Sequence, residues 1–154
     1  MRVFTVREAM WANAAAPRVW QRVAEVERWP EWNPGLAAAK WRGKRGLAKG
    51  NRFRLHHRRK ARPFLSGGRV DHVDPESALV WSDAFLLLRV EFSLEFRSHG
   101  RGTEVEFTSQ FSGIGARWVP TDSFVRWLTR FQREFLVGLR QSCESVSGDR
   151  WSEE

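Results

Sequence analysis

The sequence predicts an α+β domain in which about six to seven antiparallel strands wrap a long C-terminal helix, with two short helices after the first strand. Three observations predict it. Between Thr121 and Val146, Phe124, Leu128, Phe131, Phe135, Leu139 and Val146 recur at three, four or seven residues among Arg126, Arg130, Gln132, Arg133, Arg140 and Glu144, the pattern of a helix with one apolar face. Val90, Phe92, Leu94 and Phe96 alternate with Arg89, Glu91, Ser93, Glu95 and Arg97, a strand with one dry and one wet face. Val105, Phe107 and Phe111 repeat that period after a turn at His99-Gly100-Arg101-Gly102, which makes the two strands antiparallel neighbours.

Val3 to Trp11 reads as the first strand, with imperfect alternation. Pro17 suits a first helical turn, and Val19, Trp20, Val23 and Val26 give Pro17 to Glu25 an apolar face. Two prolines and a glycine in Glu27 to Gly35 forbid a long helix, so this segment is a kinked turn that can set Trp29 and Trp32 on one surface. Strands follow at Leu36 to Arg42 and Asn51 to Arg58, joined by a basic turn from Gly43 to Gly50. Phe64 to Val73 is the next strand, with Gly67-Gly68 marking a bulge or a close backbone approach, and Asp74-Pro75-Glu76-Ser77 is a turn. Beyond Trp81, no turn residue interrupts Asp83 to Leu88. Either one long bent strand runs through or the hairpin tip is apolar, and the usual strand length of ~3–10 residues favours the tip. The last helix opens after Pro120 with Thr121 or Asp122 as cap, and Gly148 offers a stop. It would be ~38 Å long at 1.5 Å per residue, the span of a small domain. Residues 1–147 then form one domain and 148–154 a polar tail.

At 154 residues the chain is long enough for one sizeable core, and its composition is that of a globular domain apart from nine Trp and no Tyr. No apolar leader with a cleavage site opens it, so a cytoplasmic location is expected. The lone Cys143 excludes an internal disulfide and a C-x-x-C metal pair, and is expected as a small packed side chain. The net charge of +8 is local: Lys40 to Arg69 holds twelve Lys or Arg and no acid. Such a face fits an interaction module docking on RNA, a ribosome or an anionic membrane, or is a solvated outer surface; DNA is not an expected partner.

Ala16-Pro17-Arg18-Val19-Trp20 followed by Glu27-Arg28-Trp29-Pro30-Glu31-Trp32-Asn33-Pro34 resembles the START-related superfamily of polyketide cyclase/dehydrase-like and Bet v 1-like proteins, called SRPBCC. The likeness continues through Val70-Asp71-His72-Val73-Asp74-Pro75, Leu79-Val80-Trp81, Gly102-Thr103-Glu104-Val105 and the closing helix to Leu139-Arg140. It implies the helix-grip fold, a curved antiparallel sheet around the C-terminal helix enclosing an apolar cavity. It implies binding of a hydrophobic small molecule, a lipid, polyketide or aromatic compound. Cyclase or dehydratase activity stays open, because the superfamily shares no catalytic motif.

The expected lining follows from parity. Phe92, Leu94, Phe107 and Phe111 from the sheet face Phe124, Leu128, Phe131 and Phe135 from the helix, with Trp32 and Trp81 beside them, a wall suited to flat or lipidic ligands. The polar exceptions on the same parity are His57, Asp83 and Ser109, each able to orient a carbonyl or phenol, or each simply structural. There is no H-E-x-x-H, no phosphate loop and no G-x-S-x-G, and His56 and His57 point to opposite faces; no metal or cofactor is implied.

Overall fold

The computed structural model describes residues 2–61 and 65–152, with side chains between 4 and 144. Seven strands form one antiparallel sheet: β1 (Arg2–Ala12), β2 (Leu36–Arg42), β3 (Arg52–His57), β4 (Gly67–Asp74), β5 (Ala78–Phe85), β6 (Leu88–His99) and β7 (Gly102–Ser112). Their order is β1-β7-β6-β5-β4-β3-β2, so β2 to β7 form a meander and β1 closes on its last strand. The helices are α1 (Ala16–Ala24) and α2 (Asp122–Ser152), with 3₁₀ turns at Val26–Glu31 and Ile114–Trp118. The sheet curls into a half-barrel around α2, the helix-grip arrangement that the periodicity and the resemblance both implied.

Burial follows the sequence periods. On β6, Leu88, Val90, Phe92, Leu94 and Phe96 are buried between exposed or half-buried neighbours, and on α2 Phe124, Leu128, Phe131, Phe135, Leu136, Leu139 and Cys143 are buried along one face. Trp29 is fully buried, and its Nε1 donates to the Val23 carbonyl at 2.9 Å, tying the first 3₁₀ turn to α1. The backbone N–H of Phe124 donates to Thr121 Oγ1 at 3.3 Å, the cap expected for α2. Burial pushes the Cys143 thiol up to about 11, which suits a packed side chain rather than a nucleophile.

One expectation needs adjusting. α2 does not stop at Gly148 but continues to Ser152, because a glycine costs a helix only ~1 kcal/mol unless the backbone turns left-handed there. A 3₁₀ turn at Ile114–Trp118, not anticipated from the sequence, stands between β7 and α2. Of the two readings of Gly67-Gly68 the close approach holds, since a Cβ on Gly68 would stand 2.6 Å from the Phe53 ring, while the register slip of β4 falls between Val70 and His72. Phe64, expected in that strand, lies outside the described residues. The apolar hairpin tip is present: β5 ends at Phe85, β6 begins at Leu88, and Leu86 turns the corner with φ +54° and 89% of its surface exposed.

Candidate functional site

The space between sheet and α2 is aromatic from end to end. Towards α1 it is filled by the protein's own rings: Trp29 lies 5.1 Å from Phe135, 5.6 Å from Phe53 and 5.6 Å from Trp81, and Phe107 lies 5.0 Å from Phe135. Trp81 stacks on Phe92 at 5.4 Å, and Trp32 meets Phe135 edge-on at 4.9 Å. Edge-to-face and offset pairs at these separations are the favourable ones. Leu94, directly across from Phe107, is fully buried, and Phe111 stacks on Phe4 and meets Phe124 edge-on at 5.6 Å.

The opposite end opens. A cleft of about 230 Å³ lies between the β3–β4 connection, at Lys60, Ala61 and Leu65, and the first turns of α2, at Ser123, Phe124 and Trp127. On the β3 side of that connection a second cleft of about 300 Å³ is walled by Arg54, His56, His57, Arg58, Arg59 and Ser66. His57 stands between the two: its ring is 5.2 Å from Trp127 and 5.3 Å from Phe131, and Trp127 stacks on Phe131 at 5.6 Å. An ion pair between Arg59 and Glu134 ties the connection to α2 beside the opening.

His57 Nε2 lies 2.8 Å from the Leu65 carbonyl. A carbonyl only accepts, so in the neutral ring Nε2 carries the proton and Nδ1 keeps its lone pair. Burial holds the His57 pKa below the ordinary histidine value, with Arg59 and His56 adding to the effect and the Leu65 bond opposing it. Nδ1 is buried without a hydrogen-bond partner among the described residues, and so is Trp127 Nε1. The opening thus carries one unused acceptor and one unused donor on packed aromatic rings, beneath a rim of Arg58, Arg59, Lys60 and Ser123.

The other polar candidates lie elsewhere. Ser109 faces inward but is fully buried and satisfied: its Oγ donates to Gln132 Oε1 at 2.9 Å, and Gln132 Nε2 donates to the Phe107 carbonyl at 2.9 Å. Asp83 sits where β4 and β5 separate, lining a cleft with four arginines, and accepts the Ala84 N–H at 2.8 Å. Burial raises its pKa from the ordinary aspartate value, against the Ala84 and Gly67 N–H groups and Arg52. Trp127 and Gln132 were not among the candidates read from sequence. Trp127 lies beside the apolar stripe, and a glutamine between two phenylalanines gives no period of its own. Among the described residues no group of three His, Cys, Asp or Glu could hold a metal ion, and no helix is long and apolar enough to cross a membrane.

A curled sheet gripping a long helix, with an aromatic interior open at one end, defines a helix-grip protein of the SRPBCC-like superfamily. Residues 3–144 match the family described as polyketide cyclase / dehydrase and lipid transport, and the chain belongs to it. No protein among the curated ones matches the sequence. Similar solved structures include a hypothetical protein of Helicobacter pylori, at 13% identity over 91% of this chain and 88% of that one, with a TM-score of 0.73. A protein of Thermus thermophilus shows 16% identity over 94% and 99%, with a TM-score of 0.71. The Zhui aromatase/cyclase from a Streptomyces species shows 14% identity over 92% and 93%, with a TM-score of 0.69. At these identities the likeness is one of fold. None of these comparisons speaks for RNA, a ribosome or a membrane as partner.

Proposed function

We propose that the protein binds a small, flat hydrophobic molecule at the open end of its interior, with one hydroxyl or carbonyl of that ligand held between His57 and Trp127. The observation that carries this reading is the pair of buried, unpartnered atoms, His57 Nδ1 and Trp127 Nε1, on rings 5.2 Å apart in an aromatic wall. A buried polar atom without a partner costs ~1–3 kcal/mol, and a ligand that supplies the partner recovers it. The family description supports a hydrophobic ligand, and the aromatase/cyclase among the similar folds supports an aromatic or polyketide one. A phenol would donate to Nδ1; a carbonyl would accept from the indole N–H. In a ligand awaiting cyclisation or dehydration the same Nδ1 is placed to take a proton, which makes His57 the residue to test first for catalysis.

The test compares 2-naphthol with naphthalene, titrated against intrinsic tryptophan fluorescence. Wild-type protein is expected to bind the phenol at least tenfold tighter, corresponding to the ~1.4 kcal/mol of one good hydrogen bond. His57→Phe should remove the preference while keeping affinity for naphthalene, and Phe131→Trp, which enlarges the ring packed against His57 and Trp127, should weaken both ligands. Equal binding of both ligands by wild type, or a preference that survives His57→Phe, would overturn the assignment.

The pH dependence has a definite sign. His57 has a folded-state pKa below the ordinary histidine value of 6.5, so folding favours the neutral ring. Its stability contribution is therefore complete above pH ~6.5 and declines as pH falls through the lower folded pKa. Phenol affinity should follow the same course, flat from pH ~8 to ~7 and falling in mild acid, whereas naphthalene affinity should move only when the protein unfolds. A phenol affinity that rises on acidification would exclude Nδ1 as its acceptor.

A further inference from the structure

The outer side of the sheet carries a site that the interior does not use. β4 pairs with β3 from Arg52–Arg69 to Arg54–Gly67, but pairs with β5 only from Arg69–Ser82 onward. Asp83, Ala84 and Phe85 pair with β6 alone. The sheet therefore forks, with Gly67-Gly68 on one prong and Asp83-Ala84 on the other. The fork opens a cleft of about 320 Å³ into which Arg42, Arg52, Arg69 and Arg89 all face.

Arg42 pairs across the ladder with Arg52, and Arg52 with Arg69, so three arginines stand side by side on successive strands. Like charges directly opposite one another on neighbouring strands are destabilising. Arg69 and Arg89 share Asp71, at 3.2 and 3.4 Å, and Arg89 also reaches Glu91 at 3.8 Å. Arg42 and Arg52 have no ion pair among the described residues, although Arg52 lies near enough to influence Asp83. Between the arginines, Gly67 and Gly68 leave bare backbone beside Phe53, Ser82, Asp83 and Ala84. A side chain on Gly68 would come within 2.6 Å of the Phe53 ring, and one on Gly67 within 3.0 Å of Asp83 Oδ2.

We propose that this fork is a binding site for a phosphate group, gripped by Arg42, Arg52, Arg69 and Arg89. Guanidinium forks match tetrahedral oxyanions in pairs of hydrogen bonds, which distinguishes phosphate from a monatomic anion of equal charge. The one carboxylate lining the cleft, Asp83, opposes the anion and sets its affinity. The arginines lie on the face opposite the interior ligand, since Arg52 and Arg69 alternate with the inward Phe53 and Val70, and among the described residues Phe53 alone borders both spaces. The phosphate can belong to a soluble phosphoester or to a lipid headgroup. The exposed tip at Phe85, Leu86 and Leu87 adjoins the fork and separates the two sources.

The experiment titrates pyrophosphate by calorimetry and measures retention on phosphatidylcholine vesicles with and without phosphatidic acid, at constant ionic strength. Wild type is expected to bind pyrophosphate, Arg42→Gln/Arg52→Gln to lose at least tenfold in affinity, and Asp83→Asn to gain severalfold. The control Lys44→Gln/Lys49→Gln removes equal charge from the β2–β3 turn and should change affinity less than twofold. Circular dichroism and melting temperature show that each variant folds. Vesicle retention that needs both Arg52 and Leu86, lost in Leu86→Asp, identifies a lipid headgroup; pyrophosphate binding untouched by Leu86→Asp without vesicle retention identifies a soluble ligand. Binding of neither probe by wild type, equal losses in the two double variants, or displacement by chloride as readily as by phosphate overturns the site.

Discussion

Replacing Gly138 by alanine lowers the melting temperature by about 4–8 °C, although alanine is the better helix former. Gly138 lies buried on α2, and a Cβ there would stand 1.9 Å from the Trp32 carbonyl oxygen and 3.0 Å from its carbon. Both atoms are backbone, so no rotamer change relieves the overlap. Nor is that segment free to retreat. The N–H groups of Trp32 and Asn33 both donate to the Trp29 carbonyl, at 3.2 and 2.8 Å, and the buried Asn33 accepts the Gly35 N–H on Oδ1 at 2.9 Å. Overpacking of this kind costs about 3 kcal/mol, while the gain in helix propensity returns about 1 kcal/mol. The net loss of about 2 kcal/mol translates at roughly 2–4 °C per kcal/mol for a domain of this size. Scanning calorimetry checks it. A melting temperature unchanged or raised in Gly138→Ala would mean that α2 and the turn after α1 do not touch at this point.

That contact also shows where sequence reading stops. The strands around β6 and β7 and the buried stripe of α2 were legible because a buried face must repeat every two or every 3.6 residues, and Phe92, Phe107, Leu128 and Phe135 obey that period. A contact between residues 32 and 138 has no period. It depends on the angle at which a 3₁₀ turn crosses a helix, and only the glycine hints at it. The same holds for the candidate site. His57 was legible by its parity with Leu55, and its position against Trp127 and Phe131 agrees. Trp127 was not, because a residue beside the stripe is equally consistent with solvent. Asp83 shared parity with Trp81, yet it lies in the fork with arginines, because β5 leaves β4 after Ser82 and parity no longer says which surface a side chain meets. The block of bases was plain in the sequence; that Arg42, Arg52 and Arg69 stand in register was not, since register depends on where each hairpin turns.

Gln132→Leu should cost about 2–4 kcal/mol, more than most exchanges of similar-sized side chains in this core. Gln132 is fully buried on the apolar face of α2, a position where a leucine would satisfy the helical period better. Its amide instead links three elements. Oε1 accepts from Ser109 of β7, and Nε2 donates to the Phe107 carbonyl of β7 at 2.9 Å and, more weakly, to the Val6 carbonyl of β1 at 3.3 Å. Removing the amide leaves the Ser109 hydroxyl and the Phe107 carbonyl without their Gln132 partner in a low-dielectric interior, each at ~1–3 kcal/mol. The apolar transfer gained by leucine offsets part of that loss. Ser109→Ala removes one partner only and should cost about 1 kcal/mol, leaving Gln132 bonded through Nε2. The double variant Ser109→Ala/Gln132→Leu has no stranded hydroxyl, so its loss should fall short of the summed single losses by about 1 kcal/mol. Urea midpoints at unchanged m-value measure all three. Strict additivity would show that Ser109 and Gln132 do not depend on each other, and that the glutamine is held in the core by its contacts to the backbone alone.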